Sequence, residues 1–137
     1  MYKHILFATD LADEGKSTGR KARQLADTFT ADLSIIHVIE PIPAYGYMGI
    51  TDIASPHIDE AKEAIAKFAE EFNVTPDHTH VKIGPTKTEI LAAAEGLGAD
   101  LIVLGSHGTH GLSLLLGSTA NAVLHGAKCD VLTVRFQ

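Results

Sequence analysis

The sequence predicts an α/β protein built on a mostly parallel sheet with helices on both faces. Short runs of branched apolar residues alternate with segments of helical periodicity along the chain. One such run, Leu101–Leu104, leads directly into Gly105-Ser106-His107-Gly108, and after a further stretch Gly117-Ser118-Thr119 opens a helix. A length of 137 residues fits one ordinary domain, 1–137, large enough to bury roughly two-thirds of its unfolded surface.

The elements follow in order. Ile5-Leu6-Phe7-Ala8, inside a strand pattern that runs from Tyr2 to Asp10, is apolar on both faces, as a central parallel strand requires. Ala22, Leu25, Ala26 and Phe29 then form one helical stripe. Leu33–Ile39 is a second strand, followed by about sixteen residues, 40–55, rich in proline and glycine and carrying Tyr45, Tyr47 and Met48. That is long for a routine connection, and it suits a cover over a bound base, a partner surface or, equally, a disordered spacer. Ser55-Pro56 reads as a cap with proline at the first helical position, and Ile58, Ala61, Ile65, Phe68 and Phe72 supply the stripe behind it. His78–Ile83 alternates like an edge strand with one wet face. Thr86 and Glu89 have capping-box spacing ahead of Ile90, Leu91, Ala94 and Leu97. After the strand Leu101–Leu104 comes a helix over 119–127 that Ser118 would cap, closed by His125-Gly126, and then the strand Val131–Val134. The order is β-α-β-α-β-α-β-α-β, which implies right-handed crossovers and a sheet covered on both sides.

Composition excludes several classes. With 45% hydrophobic and 20% charged residues the chain reads as globular, and no apolar run approaches the roughly 18 to 20 residues that span a bilayer. The first residues lack the basic, apolar and small-residue sequence of a secretion signal, so membrane insertion and export are not expected. The single cysteine, Cys129, cannot form an internal disulfide and suits a buried position in a reducing cytoplasm. The net charge of −6 argues against a nucleic-acid partner, and Lys16, Arg20, Lys21 and Arg23 are spread around a helix rather than gathered in a stripe.

The glycine segments carry the chemistry. Glycines let backbone approach a ligand closely, and the first turn of a helix offers unpaired N–H groups and the positive end of its dipole to an anion. Ser118 and Thr119 would add hydroxyls. Parallel sheets bind ligands at the carboxyl ends of their strands, where strand order reverses. If the first and fourth strands are neighbours there, Asp10 faces the glycine loop, where a carboxylate suits a sugar hydroxyl or a divalent metal better than a phosphate. A turn and a cap with no ligand are the plainer reading of the same residues.

Taken in order, several segments resemble the universal stress protein family. They are Tyr2–Asp10, His37-Val38, Ala99–Gly108, Gly117-Ser118-Thr119-Ala120 and Cys129–Arg135. The resemblance covers essentially the whole chain. It implies a doubly wound five-stranded sheet of order 3-2-1-4-5, a homodimer paired through the last strand, and in many members an ATP site. Carried over, that site uses Ala8, Thr9 and Asp10, places Val38 against the adenine, lines the loop with Leu104, Gly105 and Gly108, and holds the phosphates with Gly117, Ser118 and Thr119. Thr109 to Leu116 separates Gly108 from Gly117 by eight residues, one fewer than the family's usual nucleotide-binding pattern and similar to a bacterial subgroup whose loop is still followed by Gly-Ser.

The expected ligand is ATP, with ADP or AMP as alternatives, accompanied by Mg²⁺. No Gly-x-x-x-x-Gly-Lys-Ser/Thr sequence is present, and 105–119 holds no lysine or arginine to stabilise a transferred phosphoryl group. Slow hydrolysis or none is therefore expected, no catalytic residue is assigned, and the nucleotide acts as a ligand that changes the dimer or its partner surface. A dimeric interaction protein without nucleotide is the competing function, and an ATP-using enzyme would need a cationic motif that is absent. His107 and His110 sit in the loop as ordinary residues that could meet an anion when protonated. His78 and His80 make a two-residue pair with no third ligand near in sequence, so no metal site is assigned. The apolar last strand would lie at a sheet edge in the family order, which points to pairing of two copies through Val131, Leu132 and Val134.

Overall fold

A computed structural model describes residues 1–12, 15–40, 50–106 and 117–135, with 50–57 described in backbone only. Five strands form one parallel sheet of order β3-β2-β1-β4-β5. They are β1 (His4–Ala8), β2 (Asp32–Ile39), β3 (Thr79–Ile83), β4 (Leu101–Gly105) and β5 (Asp130–Val134). The helices are α1 (Lys16–Phe29), α2 (Ile50–Glu70), α3 (Thr86–Leu97) and α4 (Ser118–Gly126).

Alternation along the strands divides the core into two layers. Ile5, Phe7, Leu33, Ile35, Leu101 and Val103 face α1 and α2. Here Phe7 packs against Phe68 and Phe72, whose rings lie 6.1 and 6.2 Å from it. Leu6, Ala8, Ile36, Ile102 and Leu104 face α3 and α4 through Ile90, Ala94, Ala120 and Val123. β1 is buried on both faces, which is why its sequence runs apolar without alternation.

Asp100 fixes the start of β1 against β4. Its carboxylate accepts hydrogen bonds from the backbone N–H groups of Lys3 (2.9 Å) and His4 (3.1 Å), and its own N–H donates to the His4 carbonyl at 2.9 Å. Burial works against the charged carboxylate, but the backbone hydrogen bonds from Lys3, His4 and Asp100 itself, together with the nearby His4 ring, outweigh it and hold its pKa below the ordinary value.

Three local expectations change. α2 begins at Ile50 and passes through Pro56, so the helix starts before the Ser55-Pro56 signal. Proline there removes the bond that its own N–H would make to the Asp52 carbonyl and its ring crowds that carbonyl, a cost that α2 carries in its second turn. The long connection is shortened to 40–49, of which 41–49 lie outside the described residues. The Thr86/Glu89 capping box is absent. α3 has Pro85 at its N-cap with no side-chain cap from that residue, and Glu40 at the end of β2 takes the role from across the sheet. His78 belongs to a 3-10 turn, Pro76–His78, and the edge strand begins one residue later.

Candidate functional site

Six elements, β1, β2, β4, α1, α3 and α4, converge at the carboxyl ends of the strands around a cavity of about 250 Å³. β1 ends in Ala8, Thr9 and Asp10, β2 contributes Ile36, His37 and Val38, and β4 ends in Leu104 and Gly105. α4 brings Ser118, Thr119 and Ala120 behind Gly117. Every residue expected at the site from the sequence lines this one cavity, except Gly108, which with His107 and His110 lies outside the described residues.

Local bonding explains the convergence. Thr9 N–H donates to the Ile36 carbonyl at 3.0 Å, extending the β1–β2 ladder one step past the strand. Asp10 Oδ1 accepts from Ala12 N–H at 3.0 Å and Thr9 Oγ1 from Leu11 N–H at 3.0 Å, so the two side chains turn the chain sharply toward α1. Leu11 takes a left-handed φ of 68° at this turn. Ser106 N–H donates to the Val134 carbonyl at 2.8 Å, and Gly117 N–H donates to the Ser106 carbonyl. The start of α4 is thereby held beside the end of β4.

α4 has the features of an anion seat. Gly117 is its N-cap with extended backbone, φ −63° and ψ 156°, and among the described residues no side-chain cap is present. Ser118 therefore does not serve as the cap that the plainer reading expects; it is the first helical residue and is exposed at the cavity. The first-turn N–H groups and two hydroxyls lie where an anion gains from the helix dipole. Ile36, Val38, Ile90 and Leu104 line the same cavity and give it an apolar wall suited to a flat base.

α3 presents its own N-terminus to the same cavity through Thr86, but that end is filled. Glu40 Oε1 accepts from both the backbone N–H and the hydroxyl of Thr86, which hold its pKa below the ordinary carboxylate value.

The donor set fits a nucleotide phosphate at α4. For Mg²⁺, Asp10 and the hydroxyls of Ser118 and Thr119 would share the ion with phosphate oxygens, the usual way this small cation is held. Among the described residues no group of three His, Cys, Asp or Glu side chains could hold a metal ion by itself. His78 and His80 do not pair as ligands. His78 Nδ1 and His4 Nε2 share Ser34 Oγ at 3.2 and 2.8 Å, and His80 Nε2 is buried without a hydrogen-bond partner among the described residues.

Gly15, Thr18, His37 and Thr86 also line the cavity, and sequence reasoning did not single them out as ligand contacts. Thr18 carried a usable signal: it falls on the stripe of Ala22 and Ala26, where a hydroxyl is out of place.

At the sheet's edge, β5 pairs only with β4. Leu132 is 37% exposed and Val131 half-buried, whereas Val134 is turned into the core beside Val103. No described helix is long and apolar enough to cross a membrane.

The model of the universal stress protein family matches residues 1–135. Universal stress protein A homolog 2 of Coxiella burnetii is 45% identical over 141 aligned positions, covering 99% of this chain and 97% of that protein. The solved structure of hypothetical protein MJ0577 superposes with a TM-score of 0.86 at 25% identity, covering 100% of this chain and 98% of that one. A universal stress protein solved in complex with cAMP superposes with a TM-score of 0.65 at 27% identity, covering 97% and 96% of the two chains.

Proposed function

Because the chain belongs to the universal stress protein family, we propose that it is an adenine-nucleotide-binding regulatory module, a single domain that binds ATP with Mg²⁺. ADP and AMP would occupy the same seat with fewer phosphate contacts. The observation that carries the reading is that the N-terminus of α4, with no side-chain cap among the described residues, lines the same cavity as the apolar Ile36, Val38 and Ile90. A family member in complex with cAMP supports the nucleotide class. The absence of any lysine or arginine in 105–119 favours binding with slow or no hydrolysis. The bound nucleotide then acts by shifting populations of the protein. It would work in the cytoplasm as a homodimer joined along β5, in a stress response read out by a protein partner.

Titration calorimetry of nucleotide-stripped protein with ATP and Mg²⁺ tests this, with Gly117→Val as the control. The valine adds bulk at the α4 N-cap on a backbone that any residue can adopt. Saturable binding by the wild type, lost in a folded Gly117→Val, is the expected result. A folded wild type that does not bind ATP would instead leave the family fold as a dimeric interaction protein.

A further inference from the structure

We propose that His4, Ser34 and His78 form a proton-operated strap that holds the leading end of β3 to the sheet and releases it in acid. The strap lies at the opposite end of the strands from the cavity. Ser34 stands opposite Leu6 in the β1–β2 register and, like Leu6, is wholly buried. Among the described residues its hydroxyl has two partners, both histidine rings: His4 Nε2 at 2.8 Å and His78 Nδ1 at 3.2 Å. His4 opens β1, Ser34 lies within β2, and His78 closes the turn that leads into β3, so one buried hydroxyl ties three segments together. β3 is an edge strand paired only with β2, which makes it the element that such a tie secures.

A hydroxyl has one hydrogen to give and lone pairs to receive. With both rings neutral, Ser34 donates to one ring nitrogen and accepts from the other, so His4 Nε2 and His78 Nδ1 carry one hydrogen between them. One added proton fits either orientation. A charged His4 donates from Nε2 while Ser34 donates to His78, and a charged His78 donates from Nδ1 while Ser34 donates to His4. A second proton does not fit. Both nitrogens are then donors, and the Ser34 hydrogen is left buried with no acceptor among the described residues, which is unfavourable. The ring centroids are 6.0 Å apart, so the two charges also repel each other. Three carboxylates border the strap: Asp77 Oδ2 lies 3.8 Å from His78 Nε2, Asp32 stands opposite His4 in the register, and Asp100 feels the charge of the His4 ring. On β3, burial lowers the pKa of His80, and Lys82, His78 and His4 add positive repulsion. The charged side chains of α3 are engaged elsewhere, Glu95 with Lys128, Glu89 against Gly84 and Lys87 beside Gly126.

Ring-nitrogen NMR and amide hydrogen exchange, followed from about pH 7.5 to about pH 5, test the strap in wild type, Ser34→Ala and His80→Leu. At the neutral end of the wild-type series, His4 Nε2 and His78 Nδ1 are expected to share one hydrogen. The two rings should then charge in separate steps, and the second step should speed exchange of the β3 amides about tenfold more than that of the β4 amides. Ser34→Ala should bring the steps together and remove the extra response of β3, whereas His80→Leu should keep both. Wild-type rings that charge together, or a hydrogen on both nitrogens at the neutral end, overturn the strap. So does a β3 response that persists in Ser34→Ala or disappears in His80→Leu. The wild-type readings decide the matter even if Ser34→Ala fails to fold.

Discussion

Glu40 Oε1, at the end of β2, accepts hydrogen bonds from Thr86 N–H at 3.0 Å and Thr86 Oγ1 at 2.7 Å, so one carboxylate closes the N-terminus of α3. Three helix N-termini reach the cavity, at Gly15 of α1, Thr86 of α3 and Gly117 of α4, and the protein supplies its own anion to that of α3.

Glu40→Ala should destabilise the protein by about 1 kcal/mol at neutral pH, the usual worth of a helix cap. The folded-state pKa of Glu40 is depressed, so this contribution is complete above the ordinary value of 4.5 and lost as pH falls through the folded one. Urea unfolding of both proteins at pH 7 and at pH 3 checks it; a gap that stays constant would refute the cap.

Ser118→Ala should separate binding from folding. The hydroxyl makes no capping bond, so stability is expected to stay within about 0.5 kcal/mol of wild type. ATP affinity should fall about three- to tenfold. Thermal melts with and without nucleotide read both quantities, and an unchanged affinity would remove Ser118 from the seat.

His80 should make the fold acid-sensitive. Burial lowers its pKa, and Lys82, His78 and His4 add positive repulsion. As pH falls below the ordinary value of 6.5, the unfolded chain takes up this proton before the folded one does. Stability contributed by neutral His80 is thus complete above 6.5 and declines below it. Melting temperature should drop between pH 7.5 and 5.5, and His80→Leu should reduce that drop.

Two glycines should respond oppositely to alanine. A Cβ at Gly19 would lie 2.5 Å from Phe72 Cζ, inside the aromatic cluster under β1, so Gly19→Ala should cost about 1–3 kcal/mol. Gly96, within α3, has nothing within 4 Å of such an atom, so Gly96→Ala should gain about 0.5–1 kcal/mol in chemical denaturation.

Leu132→Glu should dissociate the proposed dimer, since Leu132 is the exposed apolar side chain of β5. Sedimentation at micromolar concentration is expected to change from two copies to one, with the monomer still folded. Val134→Glu is no equivalent test, because Val134 is a core residue.

Most of the fold was legible because strands buried on both faces write themselves as uninterrupted apolar runs, as Ile5–Ala8 and Leu101–Leu104 do. Strand order came through resemblance, since periodicity alone does not say which strands touch. Local punctuation misled where it has two meanings: Pro56 suits a first helical turn and is also tolerated within a helix, and Thr86 with Glu89 matches a cap that Glu40 provides instead. Glu40 and Thr86 are far apart in sequence, and no local pattern links them. At the site, residues at strand ends and glycines were readable. Thr18 and His37 were not singled out as contacts, because the first belongs to a helix stripe and the second to a strand interior until the fold opens both to the same space.

The Asp100 clamp at the start of β1 acts as the zero mark of a ruler. Strands advance about 3.3 Å per residue, and from this mark the paired strands deliver Ala8 and Leu104 to matching heights at the far end. The datum lies at the opposite end of the sheet from the cavity. A connection at the cavity end can change length without changing where the strands emerge. Ligand choice is thereby free to drift by loop editing while the frame keeps its calibration.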